Sequence, residues 1–273
     1  MRVLGESSSS SFDTHQFTGE SWEAALIQID KELHLHIRNR EPSREIDHDP
    51  VDLVERIAYA VAFTHGFQPW PVYREIRIDH RIVERWLGGH LNLGQSTFAP
   101  VSDRLGFSAR MNDEPELMKI IPRIVEGLGQ MPSEHFGSIR QLLWHVLSAD
   151  LGELPPATQL LIVCSALDGL MKVIGGDQNH TLKEWKSAAL AAGLSWEEWV
   201  SGIMEIRKKH RDNLSHGRLW ILEEISNEAY FEDYPQLGCA FMTVIAAYCG
   251  YEGPIILKTG SAKRISKLKG QSN

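Results

Sequence analysis

The residues best suited to chemistry lie together between Ile206 and Gly217, read I-R-K-K-H-R-D-N-L-S-H-G. Arg207, Lys208, Lys209, His210, Arg211 and His216 crowd the end of a predicted helix in a chain whose formal net charge is −8. A local basic knot in an acidic chain is a place to hold a phosphodiester. Within it, Arg211 and His216 stand five residues apart, with Asp212 and Asn213 between them and Gly217 directly after.

Helical geometry sets a condition on that pairing. In an ideal helix, residues five apart sit about 140° apart around the axis. Arg211 and His216 therefore share a groove only if the helix ends or bulges between them. Gly217 favours a stop there, since glycine is the usual residue just past a helix end. The same residues also have a plainer role: cations in a last turn offset the carbonyl end of the helix dipole, each contributing roughly 0.3 to 1 kcal/mol.

The elements that must position this knot are mainly helical. Ser195 to about Ser215 reads as a helix with Ser195 as cap, Glu197 and Glu198 in the first turn, and Trp196, Trp199, Val200, Ile203 and Leu214 on its core stripe. Thr181 to Ala192 is a shorter helix, with Thr181 as N-cap and Glu184 completing a capping box. Pro155-Pro156 opens a strongly apolar helix to Ile174, closed by Gly175-Gly176. His135 to Ala149 and Pro115 to Met131 show helical spacing, the latter with a kink expected at Pro122. A final helix, Tyr234 to Tyr248, is apolar nearly all round, and so is expected to be buried or to form an oligomer interface.

Before Met111 the pattern is mixed. Val51 to His65 predicts an amphipathic helix, and Leu33 to Ile37 alternates as a strand does. Trp22, Ala25, Leu26 and Ile29 fit a helical stripe; Val72 to His80 reads as a strand, and Ile82, Val83, Trp86 and Leu87 as a short helix. The expected fold is mostly α: a C-terminal antiparallel helical bundle over 133–253 with a smaller N-terminal α/β module over 21–132. A serine-rich tail over 1–20 is expected to be disordered. A tail over 254–273, with Lys258, Lys263, Arg264, Lys267 and Lys269 and no acid after Ile255, is expected to be flexible.

The order Arg, four residues, His, with a polar residue after the Arg and a glycine after the His, resembles the signature of the HEPN family of small helical bundles. The likeness extends upstream. Leu160 to Leu170, containing Ala166-Leu167-Asp168-Gly169-Leu170, is similar to the core helix of HEPN domains close to the ApeA type, with Asp168 where Glu is common. The spacing of about forty residues from that run to the Arg also matches, as does the closing apolar helix. The resemblance covers roughly Ser133 to Gly253 and implies a metal-independent endoribonuclease of the kind that serves as effector in a prokaryotic toxin or antiphage system. On that reading, Arg211 and His216 are catalytic and Asp212 and Asn213 orient them. Lys208, Lys209 and Arg218 contact RNA, and two protomers pair as a homodimer. An antitoxin or regulatory protein is a further expected partner. The alternative is a non-catalytic dimerisation or RNA-binding module.

Composition and missing motifs narrow the remaining classes. A sequence pI near 5.8 argues against a protein that coats nucleic acid non-specifically. Three cysteines, Cys164, Cys239 and Cys249, with no Cys-x-x-Cys pair, read as buried thiols in a reducing cytoplasm. Phosphate loops of the Gly-x-x-x-x-Gly-Lys and Gly-x-Gly-x-x-Gly types are absent, as is Gly-x-Ser-x-Gly. His34 and His36, with His48, Asp79 or His80, are the metal ligands considered, but no metal or other cofactor is expected. Trp144, Trp185, Trp196, Trp199 and Trp220 are expected in the core. The apolar run Leu160 to Ile174 is shorter than the roughly 20 residues a bilayer requires and holds Asp168 and Lys172, so a soluble, cytoplasmic protein is expected.

Overall fold

The computed structural model describes residues 2–4, 14–20, 22–29, 32–40, 50–65, 71–78, 81–87, 114–150, 154–215, 227–252, 254–259 and 262–267. The protein is mostly helical, with an antiparallel sheet near the N-terminus. Six strands, β1 (Arg2–Leu4), β2 (Thr14–Thr18), β3 (Trp22–Ile29), β4 (Glu32–Asn39), β5 (Pro71–Ile78) and β6 (Arg81–Leu87), pair in the order β2-β3-β4-β1-β5-β6. Two of them replace expected helices. Trp22 and Ala24 are both buried, a period of two rather than 3.6, so β3 presents one face of a pleated ribbon where a helical stripe was expected. Arg81–Leu87 likewise pairs as β6 with β5 instead of forming a short helix.

Within the stretch expected as a disordered tail, Arg2–Leu4 and Thr14–Thr18 pair into the sheet, whereas the serine run lies outside the described residues. Phe17 on β2 stands opposite Ala24 on β3, which stands opposite Ile37 on β4. These residues line one face, and Phe17 is fully buried on it. Helix α1 (Pro50–His65) contributes Ile57, Tyr59, Ala60, Val61, Ala62 and Phe63 to the same core. Helix α2 (Glu114–Gly129) runs on past Pro122 and packs against both α1 and β2. The backbone N–H of Glu20 donates to the Glu126 carboxylate at 3.1 Å, and Arg140 pairs with Glu55. One apolar cluster therefore extends from Phe17 to Tyr251 without a break.

The bundle continues with α3 (Ser133–Asp150), α4 (Pro156–Gly175), α5 (Thr181–Ala191), α6 (Ser201–Ser215) and α7 (Asn227–Tyr248). Helix α4 is the axis, touching α3, α5, α6 and α7. It is the helix, among the described residues, long and apolar enough to cross a membrane, but 56% of that window is buried inside the fold. Its approach to α5 is close: a methyl group on Gly175 would collide with the Glu184 carbonyl oxygen. Gly176 then ends α4 with φ 76°.

Three helix starts differ from expectation. Helix α5 begins at Thr181 itself, with His180 as N-cap and no side-chain capping bond, so the capping box does not form. Between Ser195 and α6 lies a π turn, Trp196–Val200, whose first wide bond is Val200 N–H to the Ser195 carbonyl at 3.2 Å. Helix α7 starts at Asn227 rather than Tyr234 and carries Pro235 inside it. Leu237, Ala240, Phe241, Val244, Ile245 and Ala246 are fully buried in the chain's own core, and that packing offsets the hydrogen bond proline removes. All three cysteines are buried, and burial pushes the Cys164 and Cys249 thiols up to about 12. Finally, the expected flexible C-terminal tail contains an antiparallel hairpin, β7 (Pro254–Thr259) with β8 (Ala262–Lys267), and β7 lies against α7.

Candidate functional site

Helix α6 turns the basic knot into two layers. Val200, Ile203, Arg207 and His210 recur at spacings of three and four and are all buried, so the core stripe passes straight through two of the knot's own members. Lys208 and Lys209 lie on the exposed side, and Arg211 is in between, with 42% of its side chain accessible.

The inner layer is held by two carboxylates on different helices. Asp168 of α4 receives Arg207 through Nε at 3.0 Å and Nη2 at 2.5 Å, both on Oδ2. The buried indole of Trp185 on α5 donates to Oδ1 at 3.1 Å, and Arg211 Nε lies 3.2 Å from Oδ2. One half-sheltered carboxylate thus orients two guanidiniums, the first buried and the second reaching toward solvent. Two positive charges on one negative leave a cationic surplus, concentrated at Arg211, where an anion would be welcome.

Asp233 of α7 performs a similar task on the other side. His210 Nε2 lies 2.7 Å and Lys209 Nζ 2.8 Å from its Oδ2. Burial pushes the Asp233 carboxyl up, but the hydrogen bonds from His210 and Lys209 outweigh it and hold the group below its ordinary value. His210 is therefore a buried structural partner, and Lys209, expected as an RNA contact, is tied to Asp233.

Of the residues singled out from sequence, Lys208, Lys209 and Arg211 sit on α6, and Asp212 and Asn213 lie in its last turn. The side chains of Asp212 and Asn213, and all of His216 and Arg218, fall outside the described residues. Helix α6 runs in α-helical form through Ser215, so the departure from regular winding expected near that residue does not occur before it. The irregular turn in this segment lies instead at Trp196–Val200.

Sequence reasoning missed the roles of Arg207, His210, Trp185 and Asp233. The available signal was their spacing: Arg207 and His210 continue the apolar stripe of Val200 and Ile203, so a buried acid had to meet them. Among the described residues, no group of three or more His, Cys, Asp or Glu is placed to hold a metal. His36 on β4 is exposed, whereas His48, Asp79 and His80 lie outside the described residues.

Comparison with protein-family models, curated proteins and solved structures finds no match to this chain.

Proposed function

We propose that the protein is a metal-independent endoribonuclease of HEPN type, acting in the cytoplasm as a homodimer and serving as the effector of a prokaryotic toxin or antiphage system. The observation that carries this reading is the contact between Asp168 and Arg211. The two stretches that resemble the family, 43 residues apart in sequence, meet at one point, and the guanidinium held there stays open to solvent. An arginine fixed by a carboxylate behind it is already oriented before substrate arrives, which is what transition-state stabilisation requires.

In this chemistry the ribose 2′-hydroxyl attacks the adjacent phosphorus. An O2′–P bond forms, the P–O5′ bond breaks, and the products are a 2′,3′-cyclic phosphate and a free 5′-hydroxyl. One imidazole takes the 2′ proton, and a protonated partner supplies one to O5′. In a two-fold dimer, His216 and its counterpart in the second copy divide these roles. Arg211 stabilises the charge that develops on the non-bridging oxygens, with Asp212 and Asn213 as orienting groups and Lys208 and Arg218 as phosphate contacts.

Cleavage of single-stranded RNA in excess EDTA tests the proposal. Arg211→Ala and His216→Ala are each expected to reduce the rate by about 10²- to 10⁴-fold, with cyclic-phosphate ends in the parent reaction. Parental rates in both variants would overturn it.

A second reading, a non-catalytic helical module that retains Arg211 and His216 only for binding RNA, is favoured by the regular course of α6 through Ser215. On that reading, the parent binds RNA and leaves it intact.

A further inference from the structure

The carboxylate of Asp168 is used unevenly, and the asymmetry bears on Arg211. Arg207 turns two nitrogens toward it, Nε at 3.0 Å and Nη2 at 2.5 Å, and both meet the same oxygen, Oδ2. A guanidinium facing a carboxylate commonly lays two parallel bonds across both oxygens. Here the other oxygen, Oδ1, is taken by the indole N–H of Trp185 at 3.1 Å. Arg207 is thereby confined to Oδ2, and Arg211 Nε lies 3.2 Å from that same atom.

Trp185 suits this task in three ways. Its side chain is fully buried, so packing fixes the ring and with it the direction of the N–H. Indole is a donor only and carries no charge, so it fills Oδ1 without altering the balance of two cations on one anion. It also comes from a third helix: α5 fixes one oxygen of an α4 carboxylate while the other oxygen faces α6. With Oδ1 vacated, the buried fork of Arg207 would spread over both oxygens and turn the carboxylate away from Arg211. Arg211 would then have to find its orientation anew each time substrate arrived.

We infer that Trp185 is a positioning residue for Arg211: by taking Oδ1 of Asp168 it makes the two guanidiniums share Oδ2, and so holds Arg211 by Nε with its terminal nitrogens presented to the non-bridging oxygens of a phosphodiester. The consequence for catalysis rests on the ribonuclease reading above; the positioning itself rests on the contacts among α4, α5 and α6.

The test reads positioning and catalysis separately in the full chain. Proton–nitrogen NMR of isotopically labelled protein follows the Trp185 indole N–H and the Arg211 Nε–H, each assigned through its own backbone resonances. Both are expected to exchange slowly with water in the parent. Trp185→Phe keeps a ring in the core and removes the N–H. It is expected to abolish the slow exchange at Arg211 while Arg207 keeps its own, and to lower kcat on single-stranded RNA by about 10- to 100-fold, with KM changed by less than about threefold. In an Arg211→Ala background the same substitution is expected to leave kcat where it was, whereas a merely structural role would lower both backgrounds equally. Arg207→Lys gives the converse: an ammonium cannot span a carboxylate, and with Trp185 in place Arg211 is expected to stay protected.

Protection of Arg211 in a folded Trp185→Phe variant, its loss in a folded Arg207→Lys variant, or equal kcat losses in the two backgrounds would overturn the inference. If neither variant folds, free exchange of the Trp185 indole N–H in the parent overturns it alone. A parent that leaves RNA intact counts against the nuclease reading, and the NMR outcomes then still decide whether Trp185 positions Arg211.

Discussion

Asp168 and Asp233 both grip α6, one from α4 and the other from α7, but the first binds two guanidiniums and an indole, whereas the second binds an imidazole and an ammonium. Guanidinium keeps its charge at every accessible pH and offers donors in a rigid fork. Asp168 therefore fixes direction, aiming Arg211 outward over a buried Arg207. Asp233 fixes position instead, joining the middle of α6 to the first turns of α7 around the connection that contains His216. A single helix is thus oriented by one carboxylate and anchored by another.

Removing each carboxylate should separate these roles. Asp168→Ala leaves Arg207, 5% exposed at its side chain, as a buried unpaired cation. The expected cost is about 3 to 5 kcal/mol, read from urea unfolding. A loss smaller than that of the corresponding Asp233 change would break the comparison. Asp233→Ala removes two charge-assisted hydrogen bonds and is expected to cost about 1.5 to 3 kcal/mol. Its pH dependence is fixed by sign. The folded carboxyl titrates below its ordinary value of 3.8, so its contribution is complete above that pH and is lost as pH falls through the lower folded value. The stability gap between the parent and Asp233→Asn should therefore be level above about pH 5 and close below about pH 4; a gap that widens in acid would refute the assignment. The smallest effect belongs to Arg211→Ala. Its side chain is 42% exposed and its partner keeps Arg207, so thermal and urea unfolding should change by no more than about 1 kcal/mol. On the ribonuclease reading proposed above, RNA cleavage should in contrast collapse. A stability loss as large as that of Asp168→Ala would make Arg211 a structural residue.

The helices after Glu114 could be read from sequence because Ile120, Ile124 and Leu128, or Leu160, Val163 and Leu167, repeat at a spacing only a helix can bury on one side. The sheet was harder to read. Trp22, Ala25, Leu26 and Ile29 satisfy a helical template by chance, and only the strand partners, seen in the opposition of Phe17, Ala24 and Ile37, decide between the two periods. The C-terminal hairpin was missed for a related reason: its basic residues suggested a solvated tail, while Ile255, Ile256, Leu257 and Ile265 gave a strand signal that charge obscured.

At the site, the basic residues were visible but their depth was not. The local mark of burial at Arg207 and His210 is that they continue the stripe of Val200 and Ile203; their acids, 39 residues before and 23 residues after them, carry no local mark at all. Asp168 stood out through the run that resembles a known family. Asp233 had no such context, since it precedes the apolar stretch that predicts the last helix.

The tight approach at Gly175 has an evolutionary consequence for the carboxylate seven residues before it. With no side chain at that position, α5 can lie low enough on α4 for Trp185, the residue after Glu184, to reach Asp168. A single added methyl at that glycine would lift one helix off another and unseat the indole. Natural variation should consequently be freer at Lys208, which is exposed, than at a glycine where two helix backbones meet.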